Sequence, residues 1–150
     1  MKKDFLLNKN ILITGATSGI GKSLTKYLSE HGANILMLSK DESKLDVLYD
    51  EIVKKYNTVP CIFKCDLQKL NEDSAIEINK IINENYSGID AVIFNAAALD
   101  KMSDIESYDL ATWEKILKIN LTSIFLIAKN LIPLLKESSN PRIIFTTSSV

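Results

Sequence analysis

The stretch "NILITGATSGIGKSLTKYLSEHG", residues 10–32, opens on a short apolar run and passes through a glycine-bearing turn. It then takes up an apolar periodicity at Ile20, Leu24, Tyr27 and Leu28 that closes at His31-Gly32. A short apolar run bounded by a turn reads as a buried strand. Apolar residues three and four apart form one face of a helix, and a glycine just past the last of them is a common helix stop. The stretch is therefore strand, loop and helix, with His31 placed where a cation suits the negative end of the helix dipole.

The same alternation continues along the chain. "NILMLS" at 34–39 reads as a strand, followed by a helix from Ser43 to about Tyr56. "VPCIFKCD" at 59–66 precedes a helix from about Glu72 to Tyr86, and "IDAVIFNAA" at 89–97 precedes a long helix from about Leu110 to Lys136. Pro133, in the last turns of that helix, should kink it or mark where it unravels. "RIIFTT", from Arg142, is a fifth strand. Strands that are apolar nearly throughout, alternating with helices, imply a parallel sheet covered on both faces. The expectation is one α/β domain over residues 1–150, a doubly wound parallel sheet with no internal repeat or linker.

Composition fits such a domain. A chain of 150 residues buries roughly 70% of its unfolded surface on folding. A formal net charge of −1 supplies no field to attract nucleic acid or anionic lipid, so neither is expected as a partner. The N-terminal "MKKDFLLNKN" holds too short an apolar run for a signal-peptide core or a membrane span, which makes the cytoplasm the expected location. Cys61 and Cys65, four apart in "CIFKC", fall on one face of a strand as small packing residues. With no other cysteine and only His31 to join them, no metal site is expected.

The first turn, "TGATSGIGKS" from Thr14 to Ser23, carries the chemistry. A glycine-rich turn between the first strand and first helix of an α/β sheet aims backbone N–H groups and the positive helix end at a phosphate. Two readings fit it. Ala16 to Ser23 matches a nucleoside-triphosphate loop if alanine stands for its first glycine, with Lys22 on phosphate and Ser23 on magnesium. Gly15, Gly19 and Gly21 equally form a variant dinucleotide fingerprint: tight turn, close approach to a pyrophosphate, and helix–strand packing in that order. The turn alone does not separate the two.

The rest of the chain weighs on the second. "TGATSGIG", "CDL" at 65–67, "FNAA" at 94–97, "WEKILKINLTSIF" at 113–125 and "RIIFTTSSV" at 142–150 resemble, in order and at strand ends, the short-chain dehydrogenase/reductase family, and within it a bacterial oxidoreductase subgroup. The resemblance implies a Rossmann-type sheet of order 3-2-1-4-5. It implies an enzyme that moves a hydride between a nicotinamide cofactor and the carbonyl or alcohol carbon of a small molecule. Gly15, Thr17, Ser18, Gly19, Ile20 and Gly21 would form the cofactor loop. Asp66, with Leu67 beside it, would meet the adenine amine, and Asn95, Ala96 and Ala97 would line the cleft. Phe94 and Ala97 depart from the family's N-N-A-G pattern.

By the same resemblance Asn120 would anchor a relay water, and Ser148 would donate to the substrate oxygen, with Ser149 the alternative if the register slips. The family's Tyr-x-x-x-Lys pair has no counterpart here: Tyr27, Tyr49, Tyr56, Tyr86 and Tyr108 all precede Ser148, and none has a lysine four residues on. The expectation is the N-terminal part of a reductase, without strands six and seven and inactive by itself. Ser39 and Lys40, at the end of the second strand, favour the 2′-phosphate of NADP, with NAD the alternative because Asp41 lies just beyond. Trp113, Ile116, Leu117 and Phe125 are expected in the core. In the family the long helix also builds a subunit interface, which implies a homo-oligomer, a dimer or tetramer. Two other functions compete: a nucleoside-triphosphate hydrolase using Lys22 and Ser23, and a non-catalytic dinucleotide sensor.

Overall fold

Period-two alternation sends successive side chains of a strand to opposite faces of its sheet. The computed structural model describes residues 5–101 and 103–148. Its strands β1 (Asn10–Thr14), β2 (Asn34–Ser39), β3 (Cys61–Lys64), β4 (Ala91–Phe94) and β5 (Arg142–Phe145) pair in parallel, in the order β3-β2-β1-β4-β5. Leu12, Leu36, Leu38, Val92 and Phe94 form one core with α3 (Glu72–Asn85) and α5 (Ser123–Leu135), through Ile78, Ile82, Ile127 and Leu131. Ile11, Ile13, Ile35, Met37 and Ile93 form a second core with α1 (Gly19–Glu30) and α2 (Glu42–Lys55), through Leu24, Leu28, Leu45, Leu48 and Ile52. The sheet is doubly wound, with the expected strand order.

The N-terminal ends of the strands are tied by a belt of side-chain hydrogen bonds. Asp90 accepts from Lys9 Nζ at 2.8 Å, from the Asn10 N–H at 3.0 Å and from Ser138 Oγ at 2.8 Å. Asn34 donates to Asn10 Oδ1 at 2.9 Å and accepts from the Val59 N–H at 2.9 Å. These bonds fix β1, β2 and β4 at one end. The opposite, C-terminal ends carry the loops.

The run expected as one helix from Leu110 to Lys136 is α4 (Leu110–Leu117), a π-helical turn (Lys118–Thr122) and α5. Its interruption lies at the π turn. Pro133 falls in the last turn of α5, which ends two residues later at Leu135, so the lost hydrogen bond does not break the helix. By length and composition alone, 110–135 is apolar enough to cross a membrane. Here one face of α5 is packed into the core instead.

The expected core role of Trp113, Ile116, Leu117 and Phe125 is overturned. Trp113 is 49% exposed and Phe125 61%, Leu117 is also exposed, and Ile116 is half-buried. With Leu110 and Leu121, also exposed, they form an outward stripe at helical spacing. Periodicity identified an apolar face; α4 has no buried residue, and in α5 the face that packs into the core is the one carrying Leu126, Ile127, Leu131 and Leu135.

Candidate functional site

A cleft of about 670 Å³ opens at the C-terminal ends of the strands, where β1 lies between β2 and β4 and the chain order reverses. Such switch points are where open α/β sheets bind ligands. The turn after β1 lines it through Gly15, Ser18, Gly19 and Ile20, the end of β2 through Ser39 and Lys40, the loop after β3 through Asp66 and Leu67, and the loop after β4 through Asn95, Ala96 and Ala97.

The glycines have separate physical reasons. Gly15 has φ +66°, and a Cβ there would stand 3.0 Å from Ala96 Cα. Gly19 has φ +47° and open space where a side chain would begin, so the loop backbone is bare toward the cleft. A Cβ on Gly21 would lie 2.1 Å from the Gly15 carbonyl oxygen and 2.6 Å from Asn95 Nδ2. The loop, the first turn of α1 and the β4 end are thus packed backbone to backbone.

The N-terminus of α1 differs from its neighbours. Ser18, its N-cap residue, makes no side-chain cap bond and the first turn holds no acid. By contrast α2 is capped by Asp41 and carries Glu42, and α3 is capped by Asn71 and carries Glu72 and Asp73. The positive end of α1 is left uncompensated beside the cleft, the setting in which a helix end binds an anion. Among the described residues no cluster of three His, Cys, Asp or Glu side chains could hold a metal.

Two predicted cofactor residues lie behind the surface. Thr17 is buried and its hydroxyl pairs with Ser39 Oγ at 2.7 Å, joining the glycine loop to the end of β2. Gly21 lies against the loop as described. Asn95 ties the β4 end to β1: its backbone N–H donates to Thr14 Oγ1 at 3.1 Å and its Nδ2 to the Thr14 carbonyl at 3.3 Å. Asp66 accepts from the Gln68 N–H at 3.1 Å, which turns the loop after β3 into the cleft wall.

Asn120 stands in the π turn, a widened helical turn frequent at functional sites. Its Oδ1 accepts from the Ala98 N–H at 2.7 Å and its Nδ2 donates to the Ala98 carbonyl at 2.8 Å. This two-point clamp fixes the loop after β4 and leaves the side chain one lone pair and one N–H. Ser148 is exposed, two residues beyond the cleft residue Thr146, and does not itself line the cleft. Ser149 lies outside the described residues.

Sequence reasoning missed Gln68, Lys115 and Ile119 in the cleft wall. Lys115 and Ile119 are four apart on one helix face, a signal available once the cleft's side of that helix is known. Cys65 also lines the cleft, and burial pushes its thiol up to about 11, so it is a packing residue rather than a nucleophile.

The short chain dehydrogenase family model matches residues 9–150. The chain belongs to the short-chain dehydrogenase family. It is 29% identical over 149 residues to the uncharacterized oxidoreductase YciK of Escherichia coli strain K12, covering 99% of this chain and 59% of that protein. A short chain dehydrogenase of Shigella flexneri 2a strain 301 complexed with NADP superposes with a TM-score of 0.94 at 29% identity, over 99% of this chain and 62% of that one. One of Escherichia coli CFT073 complexed with NADPH gives the same score and identity, over 99% and 62%. The chain spans about three fifths of the length of these relatives. Within this family the triphosphate-loop reading is not favoured. Ser23 is exposed with its hydroxyl turned back 3.3 Å from the Gly19 carbonyl, and Lys22 does not line the cleft.

Proposed function

We propose that the protein carrying this chain is an NADP-dependent oxidoreductase acting on a small carbonyl or alcohol, with NAD as the weaker cofactor. The observation that carries the reading is the uncapped, acid-free N-terminus of α1, opening through Gly15 and Gly19 onto a cleft that ends at Ser39 and Lys40. The cradle fits a dinucleotide because no side chain fills it at the glycine positions. Ser39 and Lys40 would hold the 2′-phosphate, Gly19 and its neighbours the pyrophosphate, and Asp66 with Leu67 the adenine.

Bound nicotinamide would supply or accept the hydride. This chain's own residues would bind the cofactor and polarise the substrate. Ser148 Oγ would donate a hydrogen bond to the substrate oxygen as negative charge develops there. Asn120, clamped to Ala98, would hold the loop after β4 against the cofactor and use its remaining polar capacity to keep a water in place. The proton would come from the tyrosine of the family's Tyr-x-x-x-Lys pair, a role that no tyrosine of residues 1–150 fits by spacing. The exposed stripe on α4 and α5 would form a subunit interface in a cytoplasmic dimer or tetramer. A non-catalytic sensor would keep the same cleft and show no turnover.

The test is a fluorescence titration of the protein from the longest reading frame containing residues 1–150, with NADPH and with NADH, followed by a carbonyl-reduction assay. Tighter NADPH binding with turnover is expected. Tighter NADH binding would overturn the cofactor assignment, and binding without turnover on any of a broad carbonyl panel would favour the sensor.

A further inference from the structure

At the end of β2 the sequence reads Ser39-Lys40-Asp41-Glu42, two acids directly after the two residues assigned to a 2′-phosphate. Left alone, those carboxylates would repel a phosphate dianion. The structure compensates both. Asp41 turns onto α2, where Oδ1 accepts from the Lys44 N–H at 3.1 Å and Oδ2 pairs with Lys44 Nζ at 2.9 Å. Glu42 pairs with Lys64 Nζ at 2.6 Å, from the residue beside Ser39 in the β2–β3 register. The hydrogen bonds from Lys44 hold the Asp41 carboxyl below its usual range. Ser39 and Lys40 line the cleft, while Asp41 does not. Ser39 is itself held toward the glycine loop by its 2.7 Å bond with Thr17.

We infer that Lys44 is a specificity-determining residue for NADP over NAD, acting through Asp41 rather than by touching the cofactor. This rests on the assignment of Ser39 and Lys40 to the 2′-phosphate. Lys44 does two things there: it pairs with the acid that directly follows Lys40 in sequence and it keeps that acid away from the ribose, where a free carboxylate would favour the 2′-hydroxyl of NAD.

The experiment measures NADPH and NADH dissociation constants by nicotinamide fluorescence for wild type, Lys44→Gln, Lys44→Arg, Asp41→Asn and the Lys44→Gln/Asp41→Asn double variant, at two salt concentrations. A carboxylate stripped of its counter-ion repels a dianion more than a neutral hydroxyl, so Lys44→Gln should lower the NADPH-over-NADH affinity ratio about 3- to 10-fold at low salt and less at high salt. Lys44→Arg should keep the ratio. Asp41→Asn retains the helix cap; alone it leaves Lys44 an uncompensated cation and should raise the ratio, and combined with Lys44→Gln it should return the ratio to near wild type. Thermal melts are run beside each titration, and equal melting with a changed ratio separates specificity from folding. An unchanged ratio in Lys44→Gln overturns the inference while leaving NADP as cofactor. Failure of Asp41→Asn to restore the ratio also overturns it, because Lys44 would then act on the phosphate directly. A wild type that binds NADH more tightly removes the 2′-phosphate assignment and the inference with it.

Discussion

At the scale of single residues, Gly21 shows how packing rather than flexibility selects a glycine. It lies inside α1, where glycine is ordinarily unfavourable by about 1 kcal/mol relative to alanine. Here even one methyl would meet the Gly15 carbonyl at 2.1 Å and the Asn95 amide at 2.6 Å, backbone and a hydrogen-bonded side chain that cannot swing aside. Gly21→Ala is therefore expected to destabilise the fold by about 1–3 kcal/mol, in the range of overpacked cores, despite the better helix propensity. Urea unfolding checks it. A variant as stable as wild type would mean that α1 can move off the loop without loss, and that the backbone-to-backbone contact does not set the cleft's shape.

At the scale of elements, the belt at the N-terminal ends of the strands converges on Asp90. Burial tends to raise the pKa of its carboxyl, but hydrogen bonds from Lys9, the Asn10 N–H and Ser138 outweigh that and hold it below the usual range. A depressed folded-state pKa contributes stability that is present above the unfolded value near 4 and is lost as pH falls through the folded value. Asp90→Asn should thus lower stability near neutral pH by about 1–3 kcal/mol, the worth of a hydrogen-bonded charged group, with the gap to wild type closing below about pH 4. Melting temperature against pH for the two proteins is the measurement, and a pH-independent gap would assign the loss to shape rather than charge.

How far the elements were legible depends on what closes them. β1 and β2 have the residues that their apolar runs and flanking turns mark out, because each is bounded by turn chemistry on its own chain. β3 and β4 are shorter than the apolar stretches at 59–66 and 89–97, since their ends are set by the length of neighbouring strands, which a single segment does not record. The glycine loop, Lys40, Asp66 and Asn95 follow strands and Ser39 ends β2, so the topology brings them to one end of the sheet. Lys115 was illegible because it comes from a helix whose orientation the pattern leaves free. The same freedom put Trp113 and Phe125 outside the core. Asn120 was singled out by the family resemblance, but its clamp on Ala98 required the π turn, which has no plain sequence signature.

At the scale of the whole molecule, the two apolar features left uncovered predict how residues 1–150 behave when expressed alone. Ile143, Ile144 and Phe145 on β5 are 38%, 48% and 52% exposed, and among the described residues β5 pairs only with β4. A flat apolar edge with unpaired N–H and C=O groups is a template for joining another chain. The stripe of Leu110, Trp113, Leu117, Leu121 and Phe125 adds a second adhesive surface on α4 and α5. Domains hold only about 5–15 kcal/mol in total, and each large side chain left in water forgoes about 1.5–3 kcal/mol. Residues 1–150 expressed alone should therefore self-associate and melt well below the protein from the longest reading frame that contains them. On the proposed mechanism residues 1–150 should also lack turnover, because Ser148 would polarise a carbonyl but no tyrosine among them has the spacing to protonate the resulting alkoxide. Size-exclusion chromatography beside a reduction assay tests both halves. Aggregation relieved by charged residues at Ile143 and Phe145 would identify the β5 edge as the cause, whereas relief by Trp113→Glu and Phe125→Glu would place it on the helical stripe. A stable monomer that reduces carbonyls would show that neither surface needs a cover and that the proton donor lies within these residues after all.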